Sequence, residues 1–145
     1  MGFFGVRDNF RMGFYFSSTS NWKFLVNHYG DTWIAGKLTQ SSDQRLKTRI
    51  SQLKVSAEKL SHISGYHYYW KEKERGTGLQ TGLLAQEVEK VFPELVDTDE
   101  KGYKAVNYIG LIPHLLEAIK SLKSENDSLK KEILQRLDAL EKKIN

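Results

Sequence analysis

The sequence has no cysteine, which rules out a disulfide frame and any thiolate metal site. No apolar run approaches the roughly 18 residues that a membrane span needs. The opening Met1-Gly2-Phe3-Phe4-Gly5 lacks a basic segment followed by an apolar one, so no signal peptide is expected. Charge of a single sign is also scarce. The formal net charge is +4, and the lysines and arginines are interleaved with acids, most visibly in the C-terminal third. A nucleic-acid binder gathers its basic residues into one stripe, so this mixing argues against that partner. Zinc-ligand spacing, a phosphate loop and a serine–histidine–acid motif are all missing. The four histidines, His28, His62, His67 and His114, are scattered and read as surface or packing residues. No cofactor and no metal are expected.

What is present falls into three stretches. Residues 1–40 are rich in glycine and aromatics, including Phe3, Phe4, Phe10, Phe14, Tyr15, Phe16, Trp22, Phe24, Tyr29 and Trp33. Phe14–Phe16, Trp22–Val26 and Thr32–Leu38 read as short strands, with a turn over Asn27–Asp31. Two or three such strands do not make a stable domain alone. The stretch is therefore expected to be a fragment or to complete itself on other chains.

Residues 41–112 are mixed. Leu46, Ile50, Leu53, Ala57 and Leu60 recur at three- and four-residue steps, which predicts an amphipathic helix over Ser42–Ile63. Tyr66–Trp70 reads as a strand, Glu72–Gln80 as a loop, and Leu83–Val91 as a helix stopped near Pro93. Leu95-Val96 and Tyr103–Val106, joined through Asp99-Glu100-Lys101-Gly102, form a predicted hairpin.

Residues 108–145 read as one long helix. Ile112, Leu115, Ile119, Leu122, Asn126 and Leu129 alternate steps of three and four, the signature of a coiled coil. Ile133 and Leu137 follow at two successive steps of four, a stutter that locally unwinds a supercoil, before Leu140 and Ile144. So narrow a stripe calls for copies of itself, and Asn126 within it would help to fix register and strand number. The fold class is thus α+β, with a helix that favours self-association over folding back on its own domain.

The segment Ser41-Ser42-Asp43-Gln44-Arg45-Leu46-Lys47 carries the one candidate chemistry. A serine hydroxyl needs a base, and lysine serves only when neutral, which takes burial or nearby positive charge such as Arg45 and Arg49. Residues five apart do not face each other on a regular helix. Ser42 and Lys47 can therefore meet only if Ser42 sits at or before the N-cap, where free amides of the first turn would favour an oxyanion. On spacing alone, Ser41 with Gln44 is a capping box, and an ordinary helix start is the plainer account.

Ser42-Asp43-Gln44-Arg45-Leu46-Lys47 resembles the SD-x-x-LK opening of the peptidase family S74 domain, the intramolecular chaperone of endosialidase tailspikes and tail fibres. The resemblance continues in order over about residues 41–123. It takes in Leu60–Lys71 with its aromatic run, Gly82–Val96 with Leu84-Ala85-Gln86-Glu87-Val88, Tyr103–Tyr108, Leu111-Ile112-Pro113 and Glu117–Lys120. Several motifs at compatible spacing make it specific.

The resemblance implies a homotrimer in which three chains bring a fibre's strands into register. The chain then cuts itself between Ser41 and Ser42, with Ser42 as nucleophile, Lys47 as base and Asp43 as a candidate support for the loop. On this reading residues 1–41 are the end of a fibre β stem. Residues 42–112 are the chaperone and self-cleaving serine peptidase, and residues 113–145 the coiled-coil helix. The partners are further copies and the upstream fibre chain, without nucleic acid or membrane, and host-surface glycan is a candidate ligand of the stem through Trp22 or Trp33. Assembly would take place in the host cytoplasm, the mature fibre standing on the virion tail with the chaperone released. A non-cleaving trimeriser with Ser42 as a helix cap is the main alternative. The same domain type occurs in myelin regulatory factors, whose membrane span and DNA-binding segment are not seen in this sequence.

Overall fold

A computed structural model describes residues 2–8 and 11–144; Phe10 and the side chain of Ile144 lie outside the described residues. The architecture is α+β, with antiparallel pairings throughout and a long C-terminal helix. The chain forms two compact units, Met1–Ile50 and Ser51–Asn145.

The first unit is a four-stranded meander of β1 (Gly2–Asp8), β2 (Arg11–Phe16), β3 (Asn21–Asn27) and β4 (Thr32–Ile34), paired in chain order. The expected strands cover the second half of β2, most of β3 and all of β4, but not β1, whose glycines at Gly2 and Gly5 thin its apolar alternation. The register explains how β1 is held. Phe3 opposes Tyr15 and Phe4 opposes Phe14, so aromatic pairs form across the strands, with ring centroids 5.3 and 5.2 Å apart. The expected Thr32–Leu38 strand stops at Ile34, and Leu38 lies outside any strand.

The β3–β4 turn is a side-chain turn. Asn27 Oδ1 accepts from the amides of Tyr29 and Asp31, both at 2.9 Å, and Gly30 takes a φ of 87°. Gly13 is required by close strand approach, since a Cβ there would lie 1.8 Å from the Phe24 carbonyl oxygen. Residues directly opposed across strands share a face. One face carries Phe4, Phe14, Phe24 and Ile34, with Phe4, Phe14 and Ile34 exposed. The other carries Phe3, Tyr15, Trp22, Leu25 and Trp33 around Gly5 and Gly13.

The helix expected over Ser42–Ile63 is not formed. In its place stand a 3-10 turn at Gln44–Leu46, an irregular stretch, and a short helix α1 (Ser56–Leu60). Leu46 and Ile50 are 76% and 61% exposed, so their side of the periodic pattern has no packing surface. A helix of this length depends on such packing. Arg49 and Val55 adopt φ values of 52° and 51°, which break the run on either side of the irregular segment.

The second unit adds β5 (Gly65–Tyr68) paired with β6 (Gln80–Leu83), then α2 (Ala85–Val91), then the hairpin β7 (Val96–Thr98) with β8 (Lys104–Val106), and finally α3 (Leu111–Ile144). Helix α2 begins two residues after the expected Leu83, which instead ends β6, and the hairpin strands begin one residue after the expected Leu95 and Tyr103. Asp99 Oδ1 accepts from the amides of Lys101 and Tyr103, and Gly102 takes a φ of 83°, which closes the hairpin. Pro113 falls in the first turn of α3, where no intrahelical partner for its missing N–H is needed.

The core gathers Val88, Phe92, Leu95 and Leu111, with Leu60, Ile63, Leu83 and Val106 around it. Val88 and Phe92 are both 0% exposed. Phe92 also packs against the tilted ring of His114, with centroids 4.1 Å apart, and His114 Nδ1 lies 3.3 Å from Ser56 Oγ. Phe92 therefore ties α2 to the start of α3. Phe92→Ala is expected to destabilise this unit by about 3–5 kcal/mol, read as a lowered midpoint in urea unfolding followed by far-ultraviolet circular dichroism. A midpoint at the wild-type value would contradict the placement of this ring.

Beyond its first turns α3 presents an exposed apolar stripe through Ile119, Leu122, Leu129 and Leu137. Pairs such as Lys123–Asp127 line its flanks, the two heads 2.8 Å apart. Exposed pairs of this kind contribute about 0.3–0.5 kcal/mol each and do not account for so long a helix standing alone.

Candidate active site

The site is built by a turn rather than by a helix. Asp43 is the N-cap of the 3-10 turn, and its carboxylate accepts from the Arg45 amide at 2.9 Å. The capping residue is thus Asp43, and the Ser41–Gln44 capping box expected from the spacing is not the one used. Ser42 lies just before this cap and Lys47 just after the turn, at the C-cap, where its amide donates to the Gln44 carbonyl at 3.0 Å. A 3-10 turn winds faster than an α-helix. Over five residues it returns the chain so that the Lys47 amine donates to Ser42 Oγ at 2.7 Å. Ser42 and Lys47, chosen from the sequence, are therefore within hydrogen-bond reach of each other. Both are exposed in the single chain.

Asp43 does more than cap. Its carboxylate accepts from Arg45 Nε at 3.1 and 3.2 Å and from Nη2 at 2.7 Å. The guanidinium beside it, and secondarily the Arg45 amide, hold the Asp43 carboxyl below the usual carboxylate range, and the same contact raises Arg45. A depressed carboxyl favours the clamped turn above the ordinary aspartate range, and that preference is lost as pH falls through the lowered value. The partnership was not visible from spacing, because residues two apart do not face each other on the helix expected there; the turn joins them.

Three amides at the turn expected to favour an oxyanion are engaged within it. The Arg45 amide bonds the Asp43 side chain, Leu46 bonds the Asp43 carbonyl and Lys47 bonds the Gln44 carbonyl. The supply of positive charge also differs from expectation, since Arg45 is paired with Asp43.

A second feature lies on the sheet. A cavity of about 500 Å³ is lined by Trp22, Trp33, Leu25, Arg7, Arg11 and Asn27, among others. Arg11 is held by Asp8 at 2.9 Å, and the Asn27 amide donates to Asp31 at 2.8 Å. The two tryptophans singled out in the sequence thus line one trough. Among the described residues no group of three or more histidine, aspartate or glutamate side chains could hold a metal ion, and no helix is long and apolar enough to cross a membrane.

Residues 42–97 match the family described as chaperone of endosialidase, a peptidase S74 family. The long tail fiber protein Gp37 of Salmonella phage S16 is 36% identical over 109 residues, covering 70% of this chain and 15% of that protein. The long tail fiber protein Gp37 of Escherichia phage AR1 is 40% identical over 78 residues, covering 49% of this chain and 7% of that protein. The chain thus spans only a small fraction of the length of these relatives. The family match begins at Ser42, the first residue of the pair described above.

Proposed function

We propose, on the premise that residues 42–97 belong to the chaperone-of-endosialidase family, that this chain is an intramolecular chaperone of a phage tail fibre. It assembles as a trimer, sets the fibre strands in register, and cuts itself off between Ser41 and Ser42. The observation that carries this reading is the 2.7 Å approach of the Lys47 amine to Ser42 Oγ, at the start of the family match.

The proposed reaction uses this contact. A neutral Lys47 amine takes the Ser42 hydroxyl proton as Oγ attacks the Ser41 carbonyl carbon. The proton then passes to the Ser42 amide nitrogen as the C–N bond breaks, leaving an ester between Ser41 and Ser42 Oγ. Water hydrolyses that ester to the Ser41 carboxylate and the free Ser42 hydroxyl. The nucleophile is attached to the scissile bond, so proximity is built in. One turnover per chain suffices, and no substrate pocket is needed.

Assembly supplies the switch. Water favours the charged form of a lysine, and burial favours the neutral form. Both side chains are exposed in one chain, and covering them in a trimer is what turns Lys47 into a base. The exposed α3 stripe and the apolar sheet face supply surfaces for that trimer. Residues 1–41 then remain with the fibre, and residues 42–145, chaperone and coiled coil, leave. Release makes refolding inaccessible, so the fibre's stability becomes kinetic. Assembly belongs to the host cytoplasm, and the finished fibre to the virion tail. The test is intact mass of freshly synthesised protein, which should resolve into species 1–41 and 42–145.

The sheet trough favours a second role for the part left behind. Trp22 and Trp33 offer ring faces to a sugar, and Arg11 and Asn27 offer polar groups at the same trough. The Trp22→Ala, Trp33→Ala double substitution is expected to weaken binding of the released stem to host-surface glycan at least tenfold on a glycan array. Equal binding by both proteins would remove this role.

A further inference from the structure

We infer that Arg45 is a positioning residue of the self-cutting site: its guanidinium clamps and neutralises Asp43, which shapes the turn that folds Lys47 onto Ser42 and sets the charge balance in which Lys47 works. The inference rests on the reading of Ser42 and Lys47 given above.

The geometry is specific. Asp43 is bound by three groups of one residue: the Arg45 backbone amide, Nε and Nη2. Backbone and side chain of Arg45 thus close on the carboxylate together, and the Nε–Nη2 fork is the part that Lys could not reproduce. The side chain is 88% exposed, so Asp43 is its purpose rather than a core contact. Exposed pairs ordinarily stabilise a fold little. Here the pair spans the residues between Ser42 and Lys47, and a loosened turn releases the 2.7 Å approach directly.

The charge argument is independent of the turn. Within residues 42–50 the charged groups are Asp43, Arg45, Lys47 and Arg49. Asp43 follows Ser42 in the chain, and Lys47 lies against Ser42. An unneutralised carboxylate there would stabilise the ammonium form of Lys47, the form that cannot take a proton. With Arg45 in place the carboxylate's charge is spent on the guanidinium.

The experiment follows cutting of the full chain in cell-free synthesis by intact mass, across pH, with assembly checked by sedimentation. Arg45→Gln should still assemble, cut about tenfold more slowly at neutral pH, and reach half its maximal rate about one pH unit higher, the size expected of a close charge. Arg45→Lys should restore the pH midpoint but not the full rate, since it returns the charge without the fork. Adding Asp43→Asn to Arg45→Gln should also restore the midpoint, because the unbalanced charge is gone, while the maximal rate stays low. An Arg45→Gln chain that cuts with the wild-type rate and profile, alongside an uncut Ser42→Ala chain, overturns the clamp and leaves the catalytic pair standing. Loss of the trimer in Arg45→Gln also overturns it, since Arg45 would then act through assembly. A wild-type chain that is never cut between Ser41 and Ser42 overturns both readings.

Discussion

Ser42→Ala is expected to leave the chain in one piece. On the proposed mechanism the substitution removes the attacking oxygen, and it should leave the rest of the turn intact, because Asp43 is the cap and Arg45 its partner. Loss of an activated nucleophile costs several orders of magnitude in rate, roughly a thousandfold at the least. On a denaturing gel the wild type should give the fragments 1–41 and 42–145, and the variant a single full-length band. The fold should not change, since Ser42 is exposed, and thermal unfolding should move by no more than about 0.5 kcal/mol. Lys47→Met should behave the same way, since it keeps the length of the side chain and removes the amine. Identical bands from wild type and Ser42→Ala would reduce the chain to a trimeriser that holds its fibre without letting go.

The second large effect lies far from the cut. Leu122 is 58% exposed on α3, in a run where Ile119, Leu122 and Leu129 repeat at coiled-coil steps. Were the wild type a monomer, Leu122→Asp would alter only a wet surface and leave the circular dichroism spectrum unchanged. In a trimer it places three carboxylates against one another in a closed seam. That costs several kcal/mol, and 4 kcal/mol is already about a thousandfold in the association constant. Sedimentation should therefore find a trimer for the wild type and monomer for the variant at the same concentration. Cutting should fall in step, although Leu122 stands 80 positions along the chain from Ser42. Monomeric protein that cuts at full rate would separate the two activities and remove assembly as the switch.

The sequence was most informative where local and tertiary preferences agree. The β7–β8 hairpin follows from Asp99 and Gly102, whose side-chain bonds and positive φ close the turn within a few residues. The C-terminal helix follows from a long periodic run. Where periodicity had nothing to pack against, it misled: Leu46, Ile50 and Leu53 keep helical spacing, yet the chain through them is a 3-10 turn and irregular backbone. Strand β1 was hidden for the opposite reason. Its hold comes from aromatic neighbours on β2, which no window along β1 can see.

The candidate site was half visible. Ser42 and Lys47 stand five apart, a spacing that excludes a shared helix face, and the structure puts Ser42 outside the turn as that spacing required. Arg45 was read only as a nearby charge. Its grip on Asp43 depends on backbone geometry specific to the turn. The tight turn also engages the amides of Arg45, Leu46 and Lys47, which spacing alone does not show.

The most direct measurement starts from unfolded, uncut chain and follows fragment masses after dilution to native conditions at a series of protein concentrations. If assembly makes Lys47 a base, the half-life of the full-length chain shortens as concentration rises and levels off once trimer saturates, with every cut between Ser41 and Ser42. A half-life independent of concentration while the protein remains monomeric, or a saturated trimer that stays whole, would contradict the account.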